Sequence, residues 1–98
     1  MCVCCCRSTV QEAKAQGGKL LIGGDVVSGS GNFVQPTIFE MPKDAPILQE
    51  ERFVPILYIS KISSVDEGIA LNNGVKQGLT SSLFTEVLTA HTPSFQFL

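Results

Sequence analysis

The segment Glu50-Glu51-Arg52-Phe53-Val54-Pro55-Ile56-Leu57-Tyr58-Ile59 changes character half-way along. Its second half is apolar at successive positions, so both faces of an extended chain carry apolar side chains. That is the pattern of a parallel strand covered on both sides, because a strand with one wet face alternates. The acidic doublet ahead of it is not required by such a strand. Two uses stand open for it. Glu50 and Glu51 can form a solvated turn, as most charge pairs do. Alternatively, one carboxylate can accept hydrogen bonds through two oxygens, which suits the diol of a ribose. Ligands of open α/β sheets bind at loops flanking strand ends, and the doublet is in such a place.

Working outward, Ser8 and Thr9 with Gln11 and Glu12 offer two overlapping capping boxes. A short helix is therefore expected over 10–16, stopped at Gly17-Gly18. Residues 19–24 read as a strand and 25–32 as a turn-rich excursion. Residues 32–41 read as a second extended segment anchored by Phe33, Ile38 and Phe39. Pro36 cannot donate to a ladder and belongs at an edge or a break. Residues 42–50 form an irregular connection. After the strong strand at 56–59, Ser64 and Glu67 open a helix over 65–73 with Val65, Ile69 and Leu71 inward, ended by Asn72, Asn73 and Gly74. A last strand is expected over 78–87, closing a right-handed crossover with the strand at 56–59. The expected fold class is α/β, a mostly parallel sheet with flanking helices.

The 98 residues carry a net charge of -2, with 44% hydrophobic and 16% charged residues, which is a globular balance of one small domain. Nucleic acid is not an expected partner, since its footprint is clustered Lys and Arg. No run reaches the about 18 apolar residues of a membrane span. The N-terminus lacks a secretory pattern, because Arg7 follows the short apolar stretch. A cytoplasmic chain is expected. All four cysteines, Cys2, Cys4, Cys5 and Cys6, cluster at the start without the spacing of a disulfide framework or a zinc site. The expected reading is a reactive terminus outside the fold, with soft-metal binding or S-palmitoylation as other uses.

Glu51-Arg52-Phe53-Val54-Pro55, following Ile47-Leu48-Gln49-Glu50, resembles the E-x-F-x-P motif of the NAD(P)-dependent aldehyde dehydrogenases. The segment GNFVQPTIFE (31–40) looks like that family's G-x-F-x-x-P-T-I stretch. NNGVKQGLTSSLFT (72–85) is similar to the antiquitin subfamily, the α-aminoadipic semialdehyde dehydrogenases. The resemblance runs from Val10 to Glu86 and marks 10–86 as part of a catalytic domain, with an unmatched Cys-rich stretch at 1–9 and an unmatched tail at 87–98. It implies that Glu51 binds the nicotinamide ribose hydroxyls and Phe53 packs beside the nicotinamide, with NAD as cofactor and an aldehyde or semialdehyde oxidised to its acid. Glu50 is then left to solvent or to a local pair. Val54 departs from the Gly or Ala common before this Pro, adding a branched side chain near the cofactor.

The family reaction needs a cysteine nucleophile in a G-Q-x-C-like setting, a glutamate base and an asparagine for the oxyanion. No such motif is present, His91 lies in the unmatched tail, and the glycines of 23–31 lack the G-x-G-x-x-G spacing. No catalytic residue and no metal ligand is expected. The sequence reads as a fragment, either a truncated product or a gene-model artefact, holding part of a cofactor site. Family resemblance also admits a mitochondrial place and association with a full-length relative. Two alternatives remain: a non-enzymatic module pairing with such a relative through exposed sheet edges, and a peptide tethered to membrane or metal by its cysteines.

Overall fold

Cys6, Thr9, Val10 and Ala13 stand at the i, i+3, i+4, i+7 spacing of one helix face, and they are the buried residues of the first helix, α1 (Val3–Ala15). The computed structural model describes residues 3–86, so Cys2, Val87 and the tail with His91 lie outside the described residues. The helix starts at Val3 and not at Val10 as expected, and Ser8 and Thr9 are interior instead of capping. The buried stripe extends one turn back to Cys6, which packs as a small hydrophobe. Thr9 satisfies its hydroxyl within the helix, Oγ1 donating to the Cys5 carbonyl at 2.8 Å. Most of the cysteine cluster is thus part of the fold. Burial pushes the Cys6 thiol above its ordinary range.

The stop at Gly17-Gly18 is as expected. Gly18 N–H donates to Ala13 O at 2.8 Å and Gly17 N–H to Lys14 O at 3.2 Å, with Gly17 left-handed at φ 87°. These two bonds are a Schellman motif. A Cβ on Gly18 would collide with Met41 Sδ and the Ala13 carbonyl.

Three strands follow in the order β1-β2-β3: β1 (Lys19–Ile22), β2 (Thr37–Glu40) and β3 (Ile56–Ile59). The α/β class holds. The sheet is mixed rather than mostly parallel, for β2 runs parallel to β3 while β1 runs antiparallel to β2. The antiparallel pair follows from a direct connection between β1 and β2, which needs no crossover helix. Leu20 pairs with Phe39 and Ile22 with Ile38, so Leu21 is a bulge residue. Between β2 and β3 a one-turn 3-10 helix, η1 (Pro46–Gln49), occupies the expected irregular connection.

Val10 and Ala13 of α1, Phe39 and Met41, Ala45, and Ile47 of η1 form the core, with Leu20, Leu48, Ile56 and Tyr58 packed against it. Ile56 and Tyr58 therefore face inward, while Leu57 and Ile59 remain 57% and 42% exposed. β3 has the sequence of a doubly covered strand and is covered on one face. Of the expected anchors of the second segment, Phe39 is buried and Ile38 half-buried, but Phe33 is exposed. It belongs to the glycine-rich excursion, which folds on itself through Val27 N–H to Phe33 O and Gln35 N–H to Asp25 O, both 2.9 Å.

The chain divides after Ser60 into two compact units. In the second, α2 (Val65–Asn73) is capped by Ser64, whose Oγ accepts from Glu67 N–H at 3.2 Å. Glu67 in turn accepts from the Ser63 N–H, one residue earlier than a capping box requires. Ile69 is buried and Leu71 half-buried as expected, whereas Val65 is exposed. The expected final strand is not formed over 78–86, so the described residues contain no second strand for a crossover. Leu79 and Phe84 are 95% and 94% exposed. A strand persists only with a ladder partner, and residues 78–86 are paired in no ladder of the described residues.

The packing of α1 predicts unequal thiols. Iodoacetamide at neutral pH should modify exposed Cys4 at least about tenfold faster than buried Cys6, read by peptide mass spectrometry. Equal rates would mean that the first turns of α1 are not packed.

Candidate functional site

Residues 50–55 join η1 to β3 without regular structure. Glu50 ends η1, its N–H donating to Ile47 O. Val54 N–H then reaches Arg52 O and Ile56 N–H reaches Val54 O, each at 2.8 Å. Two successive three-residue turns fold the chain sharply just before β3. Across from this segment lies the N-terminal half of α1. Between them is an open cleft of about 420 Å³ lined by Cys5, Ser8, Thr9, Glu51, Arg52, Phe53 and Val54.

The two residues singled out from the sequence both line this cleft. Phe53 is 85% exposed, which is unusual for a large aromatic ring. The Glu51 carboxylate is exposed, and no hydrogen bond or ion pair joins it to another described residue. Glu50 behaves differently, for its Oε2 accepts from Arg52 Nη2 at 2.6 Å. Arg52 Nη2 also reaches Glu12 Oε2 on α1 at 2.9 Å. The bond to Glu50, with the charge of Glu12 beside it, holds Arg52 above the ordinary arginine range. Val54 lines the cleft at the position where the motif comparison placed a departure.

Sequence reasoning missed the α1 side of the cleft. The cysteine cluster and the acidic doublet, read as unrelated, meet there through Cys5. The 6, 9, 10, 13 stripe was the available signal, because it carries the helix back to Cys5 and Ser8. Among the described residues no group of three or more His, Cys, Asp and Glu side chains is placed to hold a metal. The arrangement suits binding a molecule with hydroxyls for a carboxylate and a flat ring for an aromatic.

The description "Aldehyde dehydrogenase family" belongs to the family model that matches residues 5–93. The chain belongs to the aldehyde dehydrogenase family. It is 53% identical over 76 residues to aldehyde dehydrogenase family 7 member B4 of Arabidopsis thaliana, covering 78% of this chain and 15% of that one. It is 50% identical over 80 residues to the α-aminoadipic semialdehyde dehydrogenase of Mus musculus, covering 81% of this chain and 15% of the relative. Its structure is similar to part of 1-pyrroline-5-carboxylate dehydrogenase from Thermus with bound NAD, at a TM-score of 0.83 and 29% identity, covering 90% of this chain and 17% of that one. The chain spans about 15% of the length of the curated relatives it matches. Among the described residues of this aldehyde dehydrogenase chain no helix is long and apolar enough to cross a membrane.

Behind the cleft, the Tyr58 hydroxyl of β3 is buried without a hydrogen-bond partner among the described residues. Burial raises its phenol above the ordinary value of 10.0; Arg52 opposes this and Glu12 adds to it. A native pKa above the unfolded one gives stability that is fully present below pH 10.0 and is lost as pH rises through the native value. Tyr58→Phe removes both the orphaned hydroxyl and this titration. Denaturant unfolding should find the variant more stable by about 1 kcal/mol at pH 8, with the difference growing above pH 10. A gap that stays constant as pH rises would show the phenol to be solvated.

Proposed function

We propose that this chain supplies the nicotinamide-ribose end of the cofactor site of an NAD(P)-dependent aldehyde dehydrogenase acting on an aldehyde or semialdehyde. The carrying observation is the cleft itself, where the exposed Glu51 carboxylate, unpaired among the described residues, stands beside the open ring of Phe53. These two groups fit a nicotinamide riboside: the carboxylate accepts from the ribose hydroxyls and the ring offers its face to the nicotinamide. The cofactor, when bound, takes the hydride removed from the substrate carbon. Glu51 then fixes the ribose, Phe53 limits the tilt of the base, and Val54 narrows the floor between them. The chain is read as holding this binding end without the reaction's nucleophile, base and oxyanion donor.

A second reading is supported by the uncovered sheet face of Leu21, Ile22, Leu57 and Ile59, with β3 at the sheet's edge. In that reading the chain is a non-enzymatic module that covers this face with a full-length relative. Co-purification of the two chains, lost in Leu57→Lys, would favour it. A cysteine-tethered peptide has less support, because Cys6 is turned into the core.

The cofactor reading is tested on the thiol that shares the cleft. NAD+ should slow alkylation of Cys5 while leaving Cys4 unaffected. Glu51→Gln should raise the NAD+ concentration needed by about five- to a hundredfold, the ~1–3 kcal/mol of a charge-assisted hydrogen bond. Glu50→Gln should change it by less than about threefold, as surface substitutions do. Equal effects of the two substitutions would assign the ribose to the wrong glutamate.

A further inference from the structure

Glu51 and Phe53 serve a ligand only if the segment carrying them is held still. Helix and strand do not hold it, since residues 51–55 belong to neither. The residue between the two does. Arg52 directs its guanidinium at α1, where Nη2 donates to Glu12 Oε2 at 2.9 Å and to Glu50 Oε2 at 2.6 Å. The other oxygen of Glu12, Oε1, accepts from Gln16 Nε2 at 3.2 Å. Gln16 Oε1 in turn accepts the Ile47 N–H at 2.8 Å.

The bonds form one continuous chain from Ile47 through Gln16 and Glu12 to Arg52 and Glu50. Glu12 and Gln16 are one turn apart on α1, the spacing at which side chains on a helix meet. Both ends of the stretch leading into the cleft are therefore tied to the same patch of helix. The Arg52 and Glu12 side chains are 27% and 36% exposed, so their attraction is screened less than that of a fully solvated pair. Glu50, at 64%, contributes less. Both contacts come from the one nitrogen Nη2, so an ammonium in its place keeps the charge and the donors but loses the planar group that aims them.

We propose that Arg52 is a positioning residue whose bridge to Glu12 sets where Glu51 and Phe53 stand in the cleft. It acts through its neighbours in the chain and is assigned no part in the chemistry. The nucleotide readout rests on Glu51 and Phe53 forming the ribose site, and the backbone readout does not.

Hydrogen–deuterium exchange on the full chain tests this with Arg52→Met, Arg52→Lys and Glu12→Gln. Amides of residues 51–54 should exchange about two- to tenfold faster in Arg52→Met and in Glu12→Gln, with partial rescue by lysine, while α1 and β2 keep their protection. The NAD+ concentration that half-protects Cys5 from alkylation should rise by a similar factor. Unchanged exchange at 51–54 would overturn the assignment, as would a rise spread evenly through α1 and β2, which marks general destabilisation. If NAD+ protects Cys5 and Glu51→Gln abolishes that protection, while Arg52→Met alters neither protection nor exchange, the cofactor site stands and the role of Arg52 falls. If NAD+ never protects Cys5, the cofactor site falls and exchange at 51–54 alone decides Arg52.

Discussion

The close seat of α1 on the sheet is the constraint from which the rest follows. Ala13 and Phe39 are both fully buried in the same cluster, so helix and sheet share one core. The glycine stop serves the same approach, because at Gly18 there is no space for a side chain between Met41 and the helix end. Fixing the axis of α1 places Gln16 over η1 and Glu12 over the segment after it, and Cys5, Ser8 and Thr9 opposite Glu51 and Phe53. The cleft is thus a by-product of core packing. A functional surface built this way is as rigid as the contact beneath it, since a close-packed interior transmits small displacements.

This dependence separates what the sequence reveals from what it hides. β3 was legible because its apolar run is local and unbroken, and the end of α1 because Gly17-Gly18 is a local stop. The cap at Ser64 was legible for the same reason. Glu51 and Phe53 were singled out by a short motif, and the structure places both on one cleft. The beginning of α1 was not seen, because four cysteines close together drew a compositional reading where a periodic one applied. The missing final strand exposes a different limit. β-propensity describes how well a segment would sit in a sheet, and the existence of a neighbour is settled elsewhere in the chain. The bridge from Arg52 to Glu12 had no signal at all, joining residues forty apart whose charges are ordinary in isolation.

Family membership and local geometry are separate observations, for the family model matches residues 5–93 as a whole and singles out no residue of the cleft. The cleft rests on exposure and pairing, which no sequence comparison contains. The exposure of Glu51 and Phe53 bears on the proposed site because a short motif can also be kept for packing alone. An 85% exposed phenylalanine contributes almost nothing to packing.

The bulge at Leu21 has a consequence for how the chain tolerates change in length. Side chains alternate along a strand, so one extra residue exchanges inside for outside from that point onward. Leu20 faces the core opposite Phe39, while Ile22, two positions on, pairs with Ile38 on the outer face. Leu21 and Ile22 therefore both point away from the core, and Gly23-Gly24 arrive beside Thr37, whose Oγ1 accepts the Gly24 N–H at 2.9 Å. Removing Leu21 would restore regular alternation and leave Ile22 outward opposite Ile38. A deletion at Leu21 therefore removes the bulge and keeps the faces of the residues on either side, whereas a deletion elsewhere in β1 would shift side chains to the opposite face.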